Sequence, residues 1–146
     1  MMARFALTAR FALGLVLVAL LGSGTAQAQD PRASLAHNAA LQFLALTDKS
    51  DTKASWEAAG KQFQKAITPE RWKQSLGDLR GPLGPMVERT LRSTQFTDKF
   101  PGSAAQGEYA LLEFRSSFAK RTRVRETVTV EREPDGVWRV IGYAIR

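Results

Sequence analysis

The chain has 146 residues, a formal net charge of +7, no cysteine and one histidine. That length supports one domain with one hydrophobic core. The missing cysteines exclude disulfides and a lipid-bearing cysteine, and a single histidine leaves a zinc site short of its usual protein ligands. Neither a metal nor a cofactor is therefore expected.

The first residues read as a secretory signal peptide. Arg4 and Arg10 precede the apolar run 11–21, and small residues follow, ending in Ala26-Gln27-Ala28. The run is shorter than the about 20 apolar residues a membrane-spanning helix needs. Cleavage after Ala28 divides the chain into a signal peptide, 1–28, and a single α+β domain, 29–146, periplasmic or secreted and without an integral membrane anchor. Without Arg4 and Arg10 the net charge falls by two, to +5. A modest positive balance suits anionic envelope polymers or lipid headgroups. Nucleic acid is not expected as a partner, because aromatic residues do not interleave with the basic ones.

The next third is helical. Leu35, Ala39, Phe43 and Leu46 recur at helical spacing, and Ala36, Ala40 and Leu44 widen the stripe, which predicts a first amphipathic helix. Asp51 is placed to cap a second, in which Trp56, Ala59, Phe63 and Ile67 share a face. Thr68-Pro69-Glu70 starts a third: a capping hydroxyl, a proline suited to the first helical position and a carboxylate that complements the positive helix end. Its expected buried residues are Trp72, Leu76 and Leu79. The breakers in Gly81-Pro82-Leu83-Gly84-Pro85 end regular structure.

Segment 85–100 reads either as a strand or as a helix, since Val87 and Leu91 align in both. Thr90, Ser93, Thr94 and Thr97 favour a long first strand, on which Val87, Arg89 and Leu91 would face one way. The residues from Phe100-Pro101-Gly102 to Gly107 then connect into a meander. Ala110, Leu112, Phe114, Ser116 and Phe118 alternate along one face of the next strand. Val124, Val128 and Val130 do so in its hairpin partner, and Pro134-Asp135-Gly136 supplies a tight turn before the last run, 137–145. The predicted fold is α+β: three N-terminal helices packed on one face of a curved, about four-stranded antiparallel sheet.

Trp56, Arg71-Trp72, Arg80-Gly81-Pro82-Leu83-Gly84, Arg89, Pro101-Gly102, Gly107-Glu108-Tyr109, Phe118, Glu126-Thr127-Val128 and Asp135-Gly136-Val137-Trp138-Arg139-Val140-Ile141-Gly142-Tyr143 carry a resemblance at the level of the whole chain. In these residues, over about 36–145, the chain resembles the bacterial secreted family known as domain of unknown function 4019. The resemblance implies an envelope location and a single compact domain, and it carries over no catalytic residue. The Asp-Gly-x-Trp-Arg-Val ending is also similar to the closing strand of nuclear-transport-factor-2-like domains, cone-like sheets closed by helices around a pocket. Such folds host enzymes and pure binding modules alike.

The candidate ligand-binding residues are Arg89 and Glu126. The alternation that turns Val124, Val128 and Val130 inward turns Glu126 inward as well, and an inward carboxylate needs a partner. Arg89 falls on the inner face of the first strand and can meet it as a buried ion pair. Two readings stay open: a satisfied structural pair, or a pocket in which Glu126 is an acid/base or ligand acceptor and Arg89 orients an anion. Lys120, Arg121, Arg123 and Arg125 form a basic surface at the hairpin tip, with the three arginines expected on one outer face. This surface either touches lipid phosphate or an acidic polymer or simply keeps the strand edge soluble. Trp56, Trp72, Trp138, Tyr109 and Tyr143 read as core, and His37 as a solvated residue near the start of the first helix.

The leading expectation is a non-enzymatic exported domain that binds a small ligand or an anionic envelope component. The alternative is a small hydrolase or isomerase using Glu126 as acid/base in a pocket between sheet and helices.

Overall fold

The computed structural model describes residues 30–100 and 106–146. The signal-peptide reading and most of the connection beginning at Pro101 lie outside the described residues. Four helices precede a four-stranded antiparallel sheet in the order β1-β2-β3-β4. This is the α+β architecture expected.

Helix α1, Pro31–Asp48, begins where Asp30 accepts a hydrogen bond from the Arg32 amide and Pro31 occupies the first turn. Its buried stripe is Ala36, Ala40, Phe43, Leu44 and Thr47. Leu35, expected inside, is 56% exposed. The stripe runs through Ala36, Ala40 and Leu44, and Leu35, one residue and about 100° around the helix from Ala36, falls outside it.

The expected second helix is two. Helix α2, Thr52–Ala58, is capped by Asp51, and α3, Lys61–Ala66, follows after two extended residues, Ala59 and Gly60. The break is tertiary in origin. The Gly60 amide donates to the Val140 carbonyl at 2.8 Å, and the Glu133 carboxylate accepts from the Lys61 amide at 2.7 Å. A Cβ on Gly60 would come within 3.0 Å of Glu133 and Ile141. The chain thus leaves its helical path to approach the last strand.

Helix α4, Pro69–Arg80, starts at Thr68, whose hydroxyl accepts from the Arg71 amide. Trp72 and Leu76 are buried as expected, but Leu79 is exposed and Arg80, 8% exposed, takes the inner position. A single 3₁₀ turn, Gly81–Leu83, continues the chain to Gly84, whose φ of 73° suits glycine.

Segment 86–99 is extended, as the hydroxyl-rich composition indicated. Strand β1, Met86–Lys99, pairs with β2, Gln106–Phe118; β2 pairs with β3, Arg121–Arg132; β3 pairs with β4, Trp138–Ile145. Val87, expected inward, is 68% exposed, because an irregularity between Met86 and Glu88 inserts one residue and swaps the faces. Ala110, Leu112, Phe114, Ser116 and Phe118 are all buried on one face of β2.

The core lies between that face and the helices. Phe43, Phe63 and Trp72 meet edge-on or tilted at 5.0–5.9 Å, geometries that favour aromatic rings. Trp72 donates its indole N–H to Ser55 and Trp56 to the Ile67 carbonyl. His37, expected to be solvated, is half-buried and stacks on Phe114 at 5.9 Å.

Candidate functional site: a charge network beside an open cleft

Arg89 and Glu126 meet. Arg89 donates Nε to Glu126 Oε1 at 3.0 Å and Nη2 to Oε2 at 3.2 Å. The pair is part of a larger knot that sequence reasoning missed. Asp48, the last residue of α1, accepts from Arg89 Nη1 and Nη2 at 2.8 and 2.9 Å and from Arg80 Nη2 at 2.5 Å. Arg80, the last residue of α4, also donates Nη1 to the Tyr143 hydroxyl at 3.0 Å, and that hydroxyl donates to Glu126 Oε2 at 2.7 Å. The Arg80 guanidinium lies 4.6 Å above the Phe118 ring, within cation–π range.

Two cations and two anions cancel here, and each carboxylate oxygen accepts at least one hydrogen bond. That satisfies buried charge, which otherwise carries a large desolvation cost. Burial opposes ionisation of Asp48, yet the hydrogen bonds from Arg89 and Arg80 outweigh it and hold its pKa below the ordinary 3.8. Burial likewise opposes charge on Arg80 and Arg89; the Asp48 carboxylate overcomes it and raises both. Tyr143 is pushed far above its ordinary value by burial first and the Glu126 charge second, so it stays a neutral donor.

The signals for the missed members were faint. Arg80 lies one turn beyond Leu76, and Asp48 one turn beyond Leu44, so both extend buried helical stripes. Tyr143 was hidden by an irregularity between Thr129 and Val130 that breaks the alternation in β4.

Glu126 has no exposed surface. Instead, a cleft of about 490 Å³ opens on the other side of the knot, with Asp48 and Arg80 in its wall, and neither Glu126 nor Arg89 lines it. The cleft runs between the end of α1, the corner at Ser50 and Thr52, the Lys73-Leu76-Gly77-Arg80-Gly81 stripe of α4, and Gly84-Pro85. It therefore lies among helix ends rather than between sheet and helices.

The basic surface is placed differently from expectation. Thr122 and Arg123 together oppose the Ser117 position, and Arg123 adopts a φ of 59°. This bulge puts Arg121 opposite the inward-facing Phe118, off the Arg125 face. Arg123 and Arg125 are joined instead by Arg92 and Arg115 around a shallow hollow of about 210 Å³. Lys120, Arg121, Arg123 and Arg125 are all exposed. Among the described residues there is no group of three or more potential metal-ligating side chains, and no helix is long and apolar enough to cross a membrane.

A family model described as "Protein of unknown function (DUF4019)" matches residues 39–143, most of the chain. The chain belongs to the DUF4019 family. The match spans all five members of the DUF4019 chain's charge knot, from Asp48 to Tyr143. No curated protein and no solved structure matches it.

Proposed function

We propose that this is an exported, non-enzymatic binding domain that holds a small polar ligand in the cleft beside Asp48 and Arg80. The observation that carries the reading is a mid-helix glycine, Gly77. Gly77 and Gly81, one turn apart, line the cleft, and a Cβ on either would meet nothing within 4 Å. Gly77 is mid-helix and does not need a glycine backbone, whereas Gly81 holds right-handed helical angles directly before Pro82, where a Cβ is disfavoured. Glycine inside a helix costs about 1 kcal/mol relative to alanine, and packing does not account for that cost at Gly77. Room for a ligand does. Ser50, Thr52 and Lys73 supply hydroxyls and a cation at the rim, the small set of polar groups that orients a ligand in a site of this size.

Export is the reading of the N-terminal sequence, and the nuclear-transport-factor-2-like likeness fits a fold used elsewhere to hold ligands. The alternative, an enzyme with Glu126 as acid/base, has less support, since a group without exposed surface that does not line the cleft lacks a path to substrate. The test is mass spectrometry of what co-purifies with the protein and with Gly77→Leu, which places a bulky side chain in the cleft. A small molecule released by denaturing the parent but missing from the variant is the expected result. Equal occupancy in both, or none in either, would remove this cleft as the site. Gly77→Ala checks the premise: it should raise stability by about 1 kcal/mol in urea unfolding.

A further inference from the structure

We infer that the outer face of the sheet, at the end where β2 turns into β3, docks on an anionic lipid bilayer. This inference is independent of the cleft. Arg115 on β2 lies directly opposite Arg125 on β3, and Arg125 exchanges both backbone hydrogen bonds with Arg146, at 2.8 and 2.9 Å. Three neighbouring chain segments thus set arginines side by side in one row, with Arg92 of β1 and Arg123 around the same hollow. Like charges directly opposite each other in an antiparallel pair destabilise it, so the Arg115–Arg125 pairing does not favour the sheet.

Arg123 adds a second cost. Its φ of 59° lies in the left-handed region, where glycine or asparagine is at ease and a long side chain is strained. Strain of this kind collects where a side chain serves a purpose outside the fold. The acids at this end leave the row in excess. Glu113 lies 3.4 Å from Arg125, and Glu88, opposite Ser117, makes no ion pair among the described residues.

The geometry selects a surface over a single anion. A lone phosphate engages one or two guanidiniums bidentately, whereas these arginines spread across the sheet around a hollow too shallow to enclose a ligand. A plane of headgroup phosphates reaches all of them at once. Lys120 and Arg121 extend the positive region at the hairpin tip, and Val87, 68% exposed, stands at the same end of the sheet.

The test is co-sedimentation of the chain from residue 29 onward, which keeps every described helix and strand, with phosphatidylcholine vesicles lacking or containing phosphatidylglycerol. Binding is expected only to the anionic vesicles, falling steeply between low and physiological salt. Each cation near such a surface contributes about fivefold to partitioning, so Arg115→Gln with Arg123→Gly should weaken binding about thirtyfold while leaving the thermal midpoint unchanged or higher. Arg92→Gln, about fivefold weaker, serves as a second variant should the double change disturb the fold. Undiminished binding by these variants would overturn the proposal. So would equal binding to neutral vesicles, displacement by millimolar inorganic phosphate, or retention of duplex DNA or an acidic polysaccharide without retention of anionic vesicles.

Discussion

The molecule contains two groups of arginines, and they live under opposite rules. On the inner side, Arg80 is buried and Arg89 largely covered, and Asp48, Glu126 and Tyr143 accept from them. On the outer side, Arg92, Arg115, Arg123 and Arg125 are exposed and outnumber their acids. Burial makes each inner charge depend on its partners, because a lost partner strands a charge away from water. Exposure makes each outer charge nearly irrelevant to folding, because water and salt screen it. The inner group therefore holds the helices to the sheet, and the outer group is free to meet something else.

The sharpest way to break the comparison is to remove an inner acid. Glu126→Gln is expected to cost about 3–5 kcal/mol in urea unfolding, since Arg89, Arg80 and Tyr143 all address that carboxylate. Glu126→Leu combined with Arg89→Met leaves Asp48 paired with Arg80 and should cost clearly less than the two single changes summed. Additive effects would mean the two residues are energetically independent despite their contact.

Next in size is the dependence on pH. Asp48 has a lowered pKa when folded, so its contribution is fully present above the unfolded value of 3.8 and is lost as pH falls through the folded value. Tyr143 has a raised pKa, so the unfolded chain ionises first and stability declines above about pH 10. Unfolding of Asp48→Asn measured across pH should show a deficit at neutral pH that shrinks below pH 3.8, and Tyr143→Phe should flatten the alkaline limb. A pH-independent deficit for Asp48→Asn would place its role in packing rather than charge.

The smallest effect has the opposite sign. Arg123→Gly should stabilise the protein by about 1 kcal/mol by removing left-handed strain, measured by thermal or urea unfolding. An outer arginine whose loss lowered stability as much as Glu126→Gln would erase the distinction between the two groups.

Much of this was legible in the linear order of residues. Period-two alternation in 110–118 and 124–130 set which side chains face the core, and with them the inward carboxylate of Glu126. The capping residues Asp51 and Thr68 marked two helix starts at the right positions. Three of the misses fall where one extra residue or one long-range bond intervened. The irregularity at Met86 turned Val87 outward, the bulge at Arg123 moved Arg121 off its expected face, and the bond from Gly60 to Val140 split a helix.

From its own order of residues the chain determined most of its helices and strands and most of the apolar strand faces, because both follow from periodicities within a dozen residues; the break at Ala59-Gly60 came from a tertiary contact. Tertiary structure alone decided that Asp48 and Arg80, at the ends of two helices, and Tyr143, on the last strand, close around Arg89 and Glu126. No local pattern encodes that meeting. Buried charge must find its opposite wherever the packed backbone brings one within hydrogen-bonding distance.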